Sequence, residues 1–94
     1  MKNQEGPKGA AVRIEMKHHA YNPSSLQVAK GTQVVWHNSD FVPHTVTSDP
    51  DGKIFNSGII LPTVDYSYTF DTPGSYPYYC TIHKGMKGTI IVTK

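Results

Sequence analysis

Glycine and proline interrupt this chain so often that no stretch of helical length carries apolar residues at helical spacing without one of them inside it. The 94 residues include eight glycines and seven prolines. Both residue types destabilise helix interiors, proline by about 3 kcal/mol and glycine by about 1 kcal/mol relative to alanine. Only short extended segments fit between the interruptions. The sequence therefore favours an all-β structure.

The extended segments alternate apolar and polar side chains, as half-buried strands do. In AVRIEMK, residues 11–17, the side chains of Val12, Ile14 and Met16 share one face. VDYSYTF, residues 64–70, alternates in the same way. Further strands are predicted in LQVAKGTQVVWHN, bent at its glycine, and in PHTVTS, SYPYYC and GTIIVTK, whereas HHAYNPSS and DPDG are predicted turns. This spacing of strands and turns predicts a small sandwich or barrel.

Length and charge limit the classes of protein that this chain can represent. We expect one domain over residues 10–94, preceded by a flexible tail over residues 1–9. The formal charge of +2 has no basic run behind it, which argues against a nucleic-acid partner. No segment is long and apolar enough for a membrane span, and no secretory signal is present.

The only cysteine lies in the segment YYCTIHKGM, where Cys80 is followed by His83 and then by Met86. Cys80 is predicted at the end of one strand and Met86 just before the next. The loop between the two strands can therefore fold these three side chains around one point. Thiolate and imidazole are ligands that suit copper or zinc.

A third strong ligand has to come from elsewhere, and His44 is the best candidate. It lies in FVPHTV, where a loop enters a strand and Pro43 restricts the backbone. The other histidines are His18, His19 and His37. We assign these three to the structure or the surface, and we expect the His18-His19 pair not to reach the Cys80 loop.

Two histidines and one cysteine in a plane, with a weak axial methionine, form the blue-copper electron-transfer arrangement. A thiol hydrolase would pair Cys80 with a histidine base but has no use for Met86. Multi-copper oxidases need further histidine pairs, and His-x-His is absent. The sequence thus favours an electron carrier over an enzyme. Copper handling, or an accessory domain of a larger redox complex, is the alternative.

The chain resembles the cupredoxin, or blue copper, family from about Ala11 to Lys94. The resemblance lies in NPSSLQVAKGTQVVWHNSD, PHTV, FNSG, YTFDTPGSYPYYC and CTIHKGMKGTIIV. The short Cys-x-x-His-x-x-Met loop is similar to that of the amicyanin-like members, in contrast to plastocyanin. The resemblance implies a Greek-key β-sandwich of about eight strands. It also implies one type 1 copper, with His44, Cys80 and His83 as equatorial ligands and Met86 as the axial ligand.

The resemblance extends to the function and the surroundings of the site. It implies a soluble, monomeric one-electron carrier of the periplasm or another extracytoplasmic compartment, with its signal sequence removed. Redox donors and acceptors would dock transiently at the exposed edge of His83. Val42, Pro43 and Ile82 are the predicted docking residues, and Tyr79 offers a second electron path. Thr45 stands where many members have an asparagine that braces the cysteine loop.

Overall fold

The alternating segments form eight β-strands in a computed structural model that describes residues 11–94. The predicted tail over residues 1–9 lies outside the described residues. The strands, in chain order, are β1 (Ala11–Lys17), β2 (Ala20–Asn22), β3 (Ser25–Ala29), β4 (Thr32–Asn38), β5 (Thr47–Ser48), β6 (Asp65–Phe70), β7 (Gly74–Tyr79) and β8 (Lys87–Thr93).

The strands pair into two four-stranded sheets, ordered β2-β1-β4-β6 and β3-β8-β7-β5. The β1–β4 and β3–β8 pairs are parallel, and the other pairs are antiparallel. The predicted all-β sandwich of about eight strands is therefore confirmed. Within residues 11–94, no helix has the length and apolar character that crossing a membrane requires.

The core follows the alternation of the strands. In β1, Ile14 and Met16 are buried while Arg13 and Lys17 are exposed. In β4, Trp36 is completely buried. Its ring packs against four aromatic rings at centroid distances from 5.4 to 6.4 Å: Phe55, Tyr66, Phe70 and Tyr78. Aromatic side chains bury large apolar areas, so this cluster is a major contribution to the stability of a small domain.

Two local predictions were wrong. The predicted turn HHAYNPSS contains the short strand β2, which pairs with β1 and buries Tyr21 in the core. Within this segment, turns remain at His18-His19 and at Pro23-Ser24, which connects β2 to β3. The predicted strand PHTVTS contributes only β5, because His44 makes a single isolated bridge to Ile60 instead of continuing a ladder. The first difference arises from a tight hairpin with the preceding strand, and the second from pairing with a distant segment.

Strand direction brings three connections to one end of the sandwich. Since β1 and β4 are parallel, the turn after β1 and the loop after β4 leave the sheet at the same end. The first connection carries His18 and His19, and the second carries His44. The β7–β8 loop carries Cys80, and hydrogen bonds join it to the loop after β4.

Gly88 on β8 provides a test of the packing between β7 and β8. A Cβ atom at this position would lie 2.5 Å from the ring and the hydroxyl of buried Tyr78. We expect Gly88→Ala to lower the free energy of unfolding by about 1–3 kcal/mol, because overpacking forces the ring or the strand to move. Chemical denaturation measures this. The neighbouring exposed Lys87→Ala should change stability by less than about 0.5 kcal/mol, and equal effects of the two variants would refute the steric explanation.

Candidate metal centre

The β7–β8 loop is closed by its own backbone. Cys80 N–H donates to the carbonyl of Met86 at 3.0 Å, and Met86 N–H donates to the carbonyl of His83 at 3.2 Å. β7 ends at Tyr79 and β8 begins at Lys87, so the predicted positions of Cys80 and Met86 relative to these strands are confirmed. Cys80 and Met86 are buried, and His83 is half-buried. The loop thus faces the interior at both ends and solvent at its apex.

The segment that carries His44 is held on both sides. His44 N–H donates to the carbonyl of Ile60 at 3.1 Å, and Ile60 N–H donates back at 2.8 Å. The side-chain amide of buried Asn38 donates to the carbonyls of Val42 and Ile60, both at 2.9 Å. His44 itself is 0% exposed. Its ring therefore has little freedom to leave the position in which the fold places it.

Three strong donor atoms converge at this end of the sandwich. Cys80 Sγ lies 3.9 Å from His44 Nδ1 and 3.7 Å from His83 Nδ1. Within residues 11–94, His44, Cys80 and His83 form the one group of three such residues that could hold a metal ion, with all ligand atoms within 4.8 Å of one another. An ion bound in a plane by thiolate and imidazole at ordinary bond lengths separates sulfur from nitrogen by about 3.8 Å. The observed distances therefore fit a shared metal ion.

Asp40, which the sequence analysis did not single out, orients His44. Its carboxylate lies 2.6 Å from His44 Nε2. Burial alone raises the pKa of Asp40, but hydrogen bonds from the His19 backbone, the His44 ring and the His18 backbone lower it to about 2. An ionised carboxylate can only accept, so Nε2 donates to Asp40 and Nδ1 is the ring nitrogen that faces Cys80. Such a pairing fixes the tautomer and orientation of a metal-binding histidine.

Thr45 links the two loops with more contacts than a single hydroxyl bond. Its backbone N–H points at Cys80 Sγ at 3.4 Å. Its hydroxyl accepts a hydrogen bond from Thr81 N–H at 2.9 Å and lies 3.1 Å from the hydroxyl of Thr47. Tyr21 adds a further contact, since its hydroxyl donates to the carbonyl of Thr45 at 2.6 Å. Although Thr45 has no side-chain amide, it therefore connects the His44 and Cys80 segments directly.

One expectation about the remaining histidines was wrong. The ring of His19 lies 4.5 Å from that of His83 and 5.8 Å from that of His44, measured between centroids. His19 therefore does reach the Cys80 loop, because the tight β1–β2 turn folds over it. His19 is exposed, as predicted. His37 lies in β4, where its Nδ1 pairs with Asp65 at 2.5 Å.

His83 is the most exposed residue of the three-donor cluster, and its surroundings favour the neutral imidazole. Partial burial lowers the pKa of His83, and the neighbouring rings of His19 and His44 lower it further. Neutral imidazole is the form that binds metal ions. Metal ligation and exposure to solvent are therefore compatible at this residue.

The predicted docking residues surround this end of the sandwich. Ile82 is 41% exposed, Val42 and Pro43 are half-buried, and the adjacent Phe41 is 97% exposed. Tyr79 is half-buried and lies between the buried Tyr78 and Cys80, so its side chain faces the other side of the sheet, as predicted. Phe41 was not among the predicted docking residues, although the sequence shows an aromatic side chain shortly before His44.

Comparison with known proteins gives consistent results. A family model described as a cupredoxin-like domain matches residues 1–92. A plastocyanin of Scenedesmus fuscus is 35% identical over 77% of this chain and 85% of its own length. The copper(I) form of an amicyanin variant superposes with a TM-score of 0.81 at 28% identity, over 88% of this chain and 82% of that one. A copper-containing nitrite reductase from Thermus scotoductus matches with a TM-score of 0.80 at 28% identity, over 95% of this chain but 23% of that enzyme.

Fold and site together define the class of this protein. It is a two-sheet β-sandwich with a cluster of two histidines and one cysteine at one end, the donor set that soft transition metals prefer. The family model and the relatives make the assignment specific: the chain belongs to the cupredoxin-like family.

Asp40→Asn tests the role of the carboxylate behind His44. The amide is close in size but cannot accept all three of the hydrogen bonds that the carboxylate receives from the backbones of His18 and His19 and the ring of His44. We expect the affinity for Cu²⁺ to fall about 10–100-fold, the range for loss of an outer partner of a metal ligand. Competition with a chelator measures the affinity.

The matched control for this prediction is Asp65→Asn, which changes the same type of carboxylate beside His37 instead. Its affinity for Cu²⁺ should equal that of the unmodified protein. If both variants lost affinity equally, the effect would be one of overall charge and not of the contact with His44.

Proposed function

We propose that this protein is a type 1 copper protein that carries single electrons between redox partners. The observation that supports this most directly is the cluster of His44 Nδ1, Cys80 Sγ and His83 Nδ1, in which His44 and Cys80 are buried and His83 is half-buried. The similarity of the chain to plastocyanin and amicyanin also supports this proposal.

The proposed ligands are His44, Cys80, His83 and Met86. Bound copper would supply one-electron cycling between Cu(II) and Cu(I), with the weak thioether of Met86 as axial donor. Thiolate and two imidazoles suit both oxidation states. Met86 is buried, and its backbone carbonyl accepts a hydrogen bond from Cys80 N–H, so the two residues stay in register across the loop.

The residues around the ligands would keep the geometry constant while the charge changes. Asp40 fixes the ring of His44, and Thr45 joins the His44 segment to Thr81 beside Cys80. Ligands that are already in place need not rearrange when an electron arrives or leaves. Preorganised polar groups in a buried site lower the reorganisation that a change of charge requires.

A carrier also accounts for the shape of the site better than an enzyme does. His44 and Cys80 are buried and His83 is half-buried at the surface, so an electron can pass through the ring of His83 without a substrate reaching the metal. The similarity to part of a copper-containing nitrite reductase supports the alternative, an accessory domain of a larger redox complex. Gel filtration of the native protein separates the two: elution as a free blue monomer supports the carrier, and co-elution with a larger redox enzyme would support the accessory domain.

Partners would dock at the exposed edge of His83. Phe41, Val42, Pro43 and Ile82 supply apolar surface there, which suits brief contacts without a large desolvation cost of charged groups. Tyr79, on the other face of β7 beside Cys80, is the proposed second path for the electron. We further propose that the protein works as a monomer outside the cytoplasm, which fractionation of cells and gel filtration would test.

Cys80→Ser is the main test of this function. The unmodified protein with Cu²⁺ should show an intense visible band, because electron density moves from the thiolate to the metal. The serine variant should be colourless. The apo variant should unfold within about 1 kcal/mol of the apo parent, since the replacement is similar in size and burial of apolar side chains holds the sandwich together.

The control is His37→Gln, which removes a histidine that lies in β4 and pairs with Asp65. It should keep the colour at full strength. If the unmodified protein stays colourless with Cu²⁺, or the serine variant keeps the intense band, the proposed function is wrong.

Phe41→Glu tests the docking surface, using a second copy of the protein as the partner. Two copies that exchange an electron through this surface would bring two added carboxylates together, and like charges at an interface cost several kcal/mol. We expect electron self-exchange, measured by NMR line broadening of mixed Cu(I) and Cu(II) samples, to slow at least about tenfold.

Ile54→Glu is the matched control, because Ile54 is also exposed but lies beside Phe70 and Thr72. These two residues are at one end of β6, whereas the metal centre lies toward the other end, where Asp65 pairs with His37. It should leave self-exchange nearly unchanged. Equal slowing in both variants would attribute the effect to net charge and would rule out a docking surface at Phe41.

A further inference from the structure

The turn between β1 and β2 holds two histidines in a backbone conformation that seldom accepts them. His18 has φ 57° and His19 has φ 55°. Two-residue hairpin turns with both φ values positive strongly favour asparagine and glycine. Side chains in this region cost of order 1–3 kcal/mol each and persist where the surroundings hold them. Strain of this kind concentrates at functional sites, so the turn calls for an explanation.

Asp40 holds the strained turn in place. Its two carboxylate oxygens accept hydrogen bonds from His18 N–H at 2.8 Å and from His19 N–H at 3.0 Å. The same carboxylate contacts His44 Nε2 at 2.6 Å. The Asp40 side chain therefore connects the turn to the proposed ligand His44. These hydrogen bonds fix the position of His19 relative to the metal centre.

The ring of His19 lies beside His83, at an exposed edge of the centre. It is 4.5 Å from the ring of His83 and 5.8 Å from the ring of His44, between centroids. His44, Cys80 and Met86 are at most 4% exposed, whereas His19 is exposed and His83 is half-buried. A metal ion that approaches from this side therefore meets His19 and His83 before it can reach Cys80. His19 is not itself part of the converging group of three donors.

We propose that His19 is an entry ligand, which captures a copper ion at the surface together with His83 and then releases it inward. This inference rests on the proposed function. Each step is an exchange of ligands and needs no oxidant or reductant. The His19 imidazole replaces a water on the ion, His44 and Cys80 then replace His19 and the remaining waters, and the thiol proton of Cys80 passes to solvent.

His19→Asn tests the proposal, because asparagine tolerates a positive φ and keeps the turn while removing the imidazole. Apo protein is mixed with copper sulfate without oxygen in a stopped-flow instrument, and growth of the visible band is followed. We expect uptake to slow at least about tenfold. Losing one metal contact lowers the affinity for the transiently bound ion by about this factor, and the rate of uptake falls with it. Removal of copper by a chelator should slow by the same factor, so that the affinity at equilibrium stays unchanged.

His18→Asn is the matched control. It makes the same replacement in the same turn, at a position whose backbone also donates to Asp40. It should take up copper at the rate of the unmodified protein, and both variants should reach the same final absorbance.

Three results would overturn the inference. Unchanged uptake in His19→Asn would show that the ring has no part in entry, and equal slowing in both variants would assign the effect to the turn. An altered band or reduction potential with an unchanged uptake rate would make His19 a positioning residue for His83. A parent protein that stays colourless would instead refute the proposed function, and this inference with it.

Discussion

The site depends on the hydrogen bonds that Thr45 makes to the β7–β8 loop. Thr45 N–H points at Cys80 Sγ, and its hydroxyl accepts the N–H of Thr81. These contacts join a loop that leaves one sheet to a strand end in the other sheet. Because Thr45 and Cys80 are buried, the contact between them acts in a medium of low dielectric constant, where an unmade hydrogen bond is costly. The two halves of the donor cluster therefore stay together without help from a bound ion.

Asp40 performs a related task on the solvent side of the same loops. Its carboxylate receives two backbone hydrogen bonds from the β1–β2 turn and one from the ring of His44. Burial would favour the neutral acid, but these donors outweigh it and hold the pKa at about 2. The carboxylate is thus a fixed negative charge behind His44, and the strained turn above His83 is part of the same network. Orientation of the ligand and placement of His19 have one cause.

Distribution of exposure links this network to the proposed function. Buried donors and a rigid loop connection favour a centre whose ligand positions stay the same when the charge of the metal changes. An electron carrier requires this property. The half-buried candidate ligand His83 would give partners a short route to the metal, and the exposed Phe41 and Ile82 lie on the two segments that carry His44 and His83. In the proposals above, the same edge is also the route of metal entry. The surface beside His83 would then serve both exchange of electrons and acquisition of metal.

The sequence by itself determined the all-β class, the faces of strands such as β1, and the grouping of Cys80, His83 and Met86, because these features depend on spacing along a few residues. It also selected His44, through the short segment PHTV. Only the tertiary structure decided which distant groups meet them. Asp40 reaches back to the turn at His18-His19, Tyr21 reaches Thr45 across 24 residues, and His19 covers His83 from 64 residues away along the chain. Such contacts arise from the pairing order and direction of strands, which alternation of apolar residues does not specify.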